Sequence, residues 1–282
     1  MNTAVITIAH GRHRHLRNQI RGLRAGARAY GAHVVVALGD PAVAAVPASE
    51  GHTATVVEFP AVEPLPLAAA RNAGARTALD HGAELLIFLD VDCIPSPGLI
   101  ERYRSAASRR RHQDALLCGP VTYLPPAGPS GYDLATLNRH VRPHPARPSP
   151  PDGTVLATTE YALFWSLSFA VRRATWDRIG GFCEEYEGYG GEDTDFARCA
   201  QALDVPMRWV GGAHAFHQHH PVEDPPVRHL VDIVRNAHVY HRRWDSWPMG
   251  GWLDAFQERG LITRDRDGTP NLTATARRPV TW

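Results

Sequence analysis

Leu85-Leu86-Ile87-Phe88-Leu89 is an unbroken apolar run, and two aspartates, Asp90 and Asp92, follow it at once. A strand that is apolar at every position is buried on both faces, which places it inside a parallel sheet covered by helices. In open α/β sheets the carboxyl ends of such strands face the ligand crevice. Two carboxylates delivered there suit a hard divalent cation, since Mg²⁺ or Mn²⁺ binds through one or two carboxylates and shares phosphate oxygens with its substrate. Asp-x-Asp is also an ordinary strand-end and turn sequence, so the pair needs support from elsewhere in the chain.

The flanking pattern agrees with that sheet. Thr3–Ala9, Val34–Leu38, Thr55–Phe59 and Ala115–Val121 read as further strands. Leu16, Ile20, Leu23, Ala27 and Tyr30 recur at helical steps and predict a helix ended by Gly31. Helices are also predicted over about 67–80 and 97–111. This alternation specifies an α/β fold with a mixed, mostly parallel sheet flanked by helices. From Tyr123 to Pro151 the chain is rich in Pro, Gly and Ser, reading as a lid, an acceptor loop or a plain insertion. Order resumes with an apolar stretch over Tyr161–Val171, a short helix, a helix over Glu192–Leu203 and a strand over Val205–Val210. A helix over about Pro226–Trp244 and a short amphipathic piece near Trp252–Leu261 form a C-terminal helical extension.

Composition removes several classes. The formal charge is +1, which argues against nucleic acid or an anionic membrane as partner. The basic residues are all arginine, suited to gripping a diphosphate bidentately. Cys93, Cys118, Cys183 and Cys199 form no Cys-x-x-Cys and no zinc-like spacing, so they read as free thiols of a reducing compartment. No apolar stretch approaches the roughly 20 residues of a transmembrane segment. The first apolar run has strand length, not that of a signal peptide. The expectation is a cytoplasmic protein.

Two further segments carry chemistry. Gly190-Gly191 precedes Glu192-Asp193 at a predicted helix start, after Tyr186 and Tyr189. Helix capping accounts for one acid there. A fixed carboxylate beside open space, on a glycine turn, is also what a base aimed at an acceptor hydroxyl requires. Then Gly211-Gly212 leads into His214-Ala215-Phe216-His217-Gln218-His219-His220. A neutral imidazole in this run can complete the shell of a metal held by Asp92, or the run can be a solvated loop.

In this order, Ala70-Arg71-Asn72-Ala73-Gly74, Asp90-Val91-Asp92, Ser168–Arg173, Gly180-Gly181-Phe182, Gly190-Gly191-Glu192-Asp193 and the histidines resemble the GT-A glycosyltransferases. The resemblance spans about residues 3–220 and is nearest to family 2 and to the galactosyltransferase C-terminal domain. It implies a Rossmann-like GT-A domain over 1–222, with a nucleotide-binding half (1–122), a variable loop (123–160) and an acceptor and catalytic half (161–222). Residues 223–282 form the extension. It further implies an inverting, metal-dependent hexosyltransferase using a nucleotide sugar, a UDP-sugar first, with Mn²⁺ or Mg²⁺. By position, Asp92 would ligate the metal and Asp90 the ribose or the metal's waters. Arg71 would contact the diphosphate, and Ala9, His10, Arg12 and Asp40 would line the nucleoside pocket beside Val91. Asp193 would be the catalytic base, with Glu192 holding sugar or acceptor. His217 or His214 would be the third metal ligand, the phrase Phe216-His217-Gln218 favouring His217. Tyr189, Gly190, Gly191 and Trp165 would meet sugar or acceptor, although Trp165 reads more readily as core.

The acceptor (a glycan, lipid-linked sugar, peptide or natural product) is not inherited from the resemblance, because 123–151 and the C-terminal extension depart from it. Two rivals share the fold. A sugar nucleotidyltransferase would carry a Gly-rich basic loop after the first strand, where His10-Gly11-Arg12-His13-Arg14 has one glycine. A non-catalytic nucleotide-sugar-binding protein would have no need of Asp90, Asp92 and Asp193 together. A closed zinc site on His214–His220 lacks a full ligand set.

Overall fold

The computed structural model describes residues 1–26, 31–274 and 276. Its first half builds β1 (Thr3–Ala9), α1 (His13–Ala25), β2 (Ala32–Leu38), α2 (Ala45–Ser49), β3 (Thr55–Phe59), α3 (Leu67–Asp80) and β4 (Leu85–Leu89). All of β4 is buried, as its apolar run requires. α1 turns Leu16, Ile20 and Leu23 to the sheet and ends at Ala25, with Gly26 as C-cap. The helix therefore stops before Gly31, whose N–H donates to Thr3 O and starts β2; Ala27 and Tyr30 lie outside the described residues. α3 is rich in small residues, and a Cβ on Gly74 would meet Ile6 Cγ2 at 2.6 Å. Small side chains let this helix lie close on β1 and β2.

After β4 come β5 (Cys93–Pro95), α4 (Leu99–Ser108), β6 (Leu116–Cys118), β7 (Val121–Tyr123), β8 (Val155–Thr158), β9 (Ser168–Arg172), α5 (Arg173–Ile179), α6 (Glu192–Ala202), β10 (Met207–Val210) and β11 (Ala215–His217). The main sheet has the order β3-β2-β1-β4-β9-β6-β10-β8. β3, β2, β1 and β4 are mutually parallel, β9 is antiparallel to both β4 and β6, and β8 is antiparallel to β10. The sheet is thus mixed, with an all-parallel half built from β3, β2, β1 and β4. Phe88 of β4 stacks on Phe169 of β9 at 4.6 Å, and Phe182 stacks on Phe196 of α6 at 4.5 Å. These rings tie the central strands to the helix whose first turn carries the acids.

One sequence expectation needs correction here. Ala115–Val121 is not one strand: Gly119-Pro120 breaks it, and β6 and β7 belong to different sheets. A Cβ at Gly119 would lie 2.0 Å from Ala213 O, so the crossing of the two backbones admits only glycine. The second sheet, β5-β11-β7, has three-residue strands too short to show any periodicity. Past the Pro-rich stretch that ends at Pro151, Val155–Thr158 forms the edge strand β8.

The C-terminal extension comprises α7 (Leu230–Trp244), α8 (Gly250–Glu258) and a hairpin of β12 (Ile262–Arg264) and β13 (Pro270–Leu272). It is therefore not purely helical. Tyr186 packs with Val239 and Tyr240, joining α7 to the segment before α6. Among the described residues no helix is long and apolar enough to cross a membrane.

Candidate active site

Asp90 lies just past the carboxyl end of β4, within reach of Arg71 from α3. Arg71 is 5% exposed; its guanidinium meets Asp90 Oδ1 at 3.3 Å and Glu192 Oε1 at 3.0 Å. One buried cation is thus shared by acids from two separate motifs. Burial pushes the Asp90 carboxyl up to about 6, aided by nearby Asp92 and opposed by Arg71.

Asp92 faces the histidine segment. Its Oδ2 lies 3.5 Å from His217 Nε2, 3.4 Å from His220 Nε2 and 3.9 Å from an Arg12 nitrogen. Burial alone would raise this carboxyl; the His220, His217 and Arg12 groups outweigh it and hold the pKa below the usual range. Asp92 Oδ1 is buried and has no hydrogen-bond partner among the described residues. An orphaned carboxylate oxygen is costly unless something fills it. Asp92, His217 and His220 offer ligand atoms within 4.8 Å of one another, and this donor set fits a divalent cation. Two imidazoles beside one carboxylate favour Mn²⁺ over Mg²⁺, which prefers oxygen ligands.

His214 is not part of this group. Its Nε2 bonds Thr122 Oγ1 at 2.7 Å, and its ring packs against Phe216. His217 ends β11 with its ring stacked on Tyr123 at 4.5 Å, and the chain then bends to bring in His220. Of the two histidines left open by the sequence, His217 is the one that lies beside Asp92, and His220 joins it unforeseen.

Gly191 opens α6 with φ +96°, a left-handed geometry that glycine adopts without strain. None of the three acids of the first turn serves as N-cap; each has its own task. Glu192 pairs with Arg71, and Asp195 binds Arg243 and Trp244. Asp193 Oδ1 accepts from the Thr194 N–H at 2.7 Å and more weakly from its hydroxyl. No described residue donates to Asp193 Oδ2. Burial, then the like charge of Glu192, pushes this carboxyl up to about 7.

Asp90, Glu192 and Asp193 line a cavity of about 450 Å³. Tyr189, Gly190, Gly191 and Trp165 line it too, so Trp165 is a wall residue and not core. Its ring is covered by Arg147 at 4.8 Å and edged by His144, both from the variable loop. Met249 and Trp252 close the cavity from the C-terminal extension, with Gly250 and Gly251 between them. Asn236 of α7 holds the adjoining Gly190 stretch of the wall by donating to the carbonyls of Glu187 and Gly190 at 2.9 and 2.7 Å.

The residues expected to line a nucleoside pocket sit at the ends of β1, β2 and β4. Ala9 is buried, Val91 packs beside it, and His10 Nδ1 bonds Leu38 O at 2.8 Å. Asp40 is already engaged by its own chain: Oδ2 binds the Gly11 N–H and His13 Nε2, and Oδ1 the Ala42 N–H. With its one glycine amide taken, this loop does not form the phosphate cradle of a nucleotidyltransferase.

This arrangement is the GT-A glycosyltransferase fold, with the acidic strand end, the Gly-Gly-Glu-Asp helix start and the late histidines converging on one side of the sheet. Residues 157–221 match the family model described as the N-terminal domain of galactosyltransferase. Among solved structures, S. aureus TarS 1–349 is 15% identical with a TM-score of 0.54, over 84% of this chain and 65% of that chain. TarS 1–349 in complex with UDP gives 12% identity and a TM-score of 0.58, over 93% and 78% of the two chains. GalNAc-T7 with UDP, GalNAc and Mn²⁺ gives 12% identity and a TM-score of 0.52, over 92% and 54%. The chain thus spans just under two thirds of the first structure and about half of GalNAc-T7. No curated protein matches the sequence significantly.

Proposed function

We propose that this chain is an inverting, metal-dependent glycosyltransferase that moves a hexose from a UDP-sugar to an acceptor hydroxyl. The observation that carries the reading is the pairing of a metal-type donor set, built on Asp92, with a carboxylate free of Arg71 on the cavity that Asp90 lines. Asp92, with an orphaned Oδ1, faces His217 and His220 on one side. On the cavity wall stands Asp193, the one of the cavity's three carboxylates not paired with Arg71 among the described residues. Matched segment, fold and UDP-bound structural neighbours agree with a nucleotide-sugar donor. The four cysteines are free, in keeping with a cytoplasmic setting.

Asp92, His217 and His220 would hold the cation, which supplies charge neutralisation to the departing diphosphate. Arg71 sits at the same strand end and adds fixed positive charge there, at no reorganisation cost because Asp90 and Glu192 already hold it. Asp193 Oδ2 takes the proton of the acceptor hydroxyl as the oxygen attacks the anomeric carbon, and the bond to the diphosphate breaks on the opposite face. The acceptor side of the cavity is formed by Tyr189, Trp165, Trp252 and Met249, with no unpaired cation among its lining residues. Such a wall favours an uncharged, pyranose-like acceptor over a phosphorylated one.

The direct test is a calorimetric titration with UDP, GDP, CDP and dTDP, each with Mn²⁺ and with chelator. Binding of UDP only in the presence of Mn²⁺ is the expected result; metal-independent binding, or none, would overturn the reading. Within that assay His217→Ala and His220→Ala each weaken Mn²⁺-dependent UDP binding by at least about tenfold, the usual scale for lost metal-site groups. His214→Ala stays near wild type, because His214 serves Thr122. A larger loss in His214→Ala than in His217→Ala would reverse the ligand assignment.

A further inference from the structure

Gln19 of α1 is fully buried beneath the turn that carries Asp90 and Asp92. Its Nε2 lies 2.7 Å from Asp90 O, 3.2 Å from Cys93 O and 3.4 Å from Leu89 O. Three carbonyls around one atom identify it as the amide nitrogen, because only a donor is satisfied there. Gln19 Oε1 is then an acceptor, and Thr7 Oγ1 lies 2.9 Å from it. The single Thr7 hydroxyl proton points to Gln19 Oε1 or to Leu89 O at 3.1 Å, and in either case away from His33. His33 Nε2, 3.2 Å from Thr7 Oγ1, must therefore donate to it. Burial holds the His33 pKa down at about 3, so the ring is neutral and Nδ1 carries no proton. Nδ1 in turn accepts from His52 Nε2 at 3.1 Å.

Donors run from half-buried His52 through His33 to Thr7, whose proton goes on either to Gln19 Oε1 or to Leu89 O, and the Gln19 amide nitrogen donates to the Asp90 carbonyl. The opposite flank of the turn is held in the same way: the Gln218 N–H donates to Asp92 O at 2.7 Å, and the Gln218 side chain is bound by Asn18 and His15 of α1. Helix α1 thus grips the backbone on both sides of the acid pair. The apolar face of α1 packs on the sheet, and buried polar groups beside it cost free energy unless each is satisfied.

We propose that Gln19 is a positioning residue of the nucleotide and metal site, oriented by the Thr7–His33–His52 relay. The inference rests on the function proposed above. It assigns to the relay the task of fixing the peptide units from which Asp90 and Asp92 project.

The test compares wild type with Gln19→Leu, Thr7→Val and Thr7→Ser, using Mn²⁺ and UDP as probes. Three readouts are taken: calorimetric affinity, the EPR signal of bound Mn²⁺, and amide hydrogen exchange of residues 89–93. Gln19→Leu is expected to lose at least about tenfold in Mn²⁺–UDP affinity. Thr7→Val should lose part of that and Thr7→Ser recover it, since serine keeps the hydroxyl. Exchange at 89–93 should rise in the same order. A folded Gln19→Leu protein with wild-type affinity and exchange overturns the inference. Should Gln19→Leu fail to fold, equal behaviour of Thr7→Val and Thr7→Ser overturns it instead. Absence of Mn²⁺–UDP binding by wild type would overturn the functional reading, and the exchange measurement would then still decide whether the relay holds the turn.

Discussion

Asp193→Asn is expected to lower sugar transfer by about two to four orders of magnitude while leaving Mn²⁺-dependent UDP binding close to wild type. The amide preserves shape and still accepts the Thr194 N–H through its oxygen, so the start of α6 is undisturbed. What it loses is the capacity to take a proton. The same residue sets the pH dependence. Burial and the neighbouring Glu192 push its carboxyl up to about 7, and only the ionised form acts as a base. For the wild type, kcat/KM should therefore rise through the region around pH 7 and level off above it. The residual activity of Asp193→Asn should lack that inflection. Steady-state kinetics over about pH 5–9, with UDP affinity checked at each end, separates the two contributions. Turnover of the variant within a factor of a few of wild type would remove Asp193 from the role.

The legible parts of this molecule are those in which one segment does the whole job. Leu85–Leu89 announces a doubly buried strand, and the ligand crevice follows from its carboxyl end. Gly190-Gly191-Glu192-Asp193 announces a helix that starts on a glycine turn beside open space. Illegible are the features that exist only through distant partners. His220 reaches Asp92 because β11 pairs with β5, and neither strand has enough residues to be seen in the sequence. Gln19 looks like one more polar residue in an amphipathic helix until the turn after β4 is laid over it. Glu192 and Asp195 both read as helix-start acids, and nothing local reveals that one belongs to Arg71, 121 residues away, and the other to Arg243 and Trp244. The break at Gly119-Pro120 follows from the approach of Ala213, again a tertiary fact. Trp165 illustrates the converse: a tryptophan in an apolar stretch is read as core, whereas here loop residues Arg147 and His144 hold it at the cavity wall.

The extension beyond residue 222 completes the site, and its attachment yields the largest expected stability effect. Asp195 is fully buried, and its Oδ1 accepts from Arg243 Nε at 2.8 Å, Trp244 Nε1 at 2.7 Å and the Tyr186 hydroxyl at 3.3 Å. Asp195→Ala orphans an indole N–H and a phenol in a buried setting and leaves the guanidinium without its counter-ion. Loss of one partner of a buried pair costs about 3–5 kcal/mol; Arg243 is 35% exposed and regains water, so about 3 kcal/mol is expected. Asp195→Asn keeps an acceptor for Trp244 and Tyr186 and should cost roughly half as much. Denaturant unfolding of the three proteins measures this, and equal midpoints for wild type and Asp195→Ala would refute it. Function should follow stability along a defined route. Arg243 and Trp244 end α7, and α7 carries Asn236, whose amide holds the Glu187 and Gly190 carbonyls beside the acceptor wall. Loosening the end of α7 frees that wall while Asp92, His217 and His220, held by the turn after β4 and by β11 and the residues that follow it, keep their geometry. Asp195→Ala should therefore bind Mn²⁺ and UDP nearly as wild type under conditions where it remains folded, yet transfer sugar poorly. A parallel loss of UDP binding in the folded variant would show that α7 supports the nucleotide side as well.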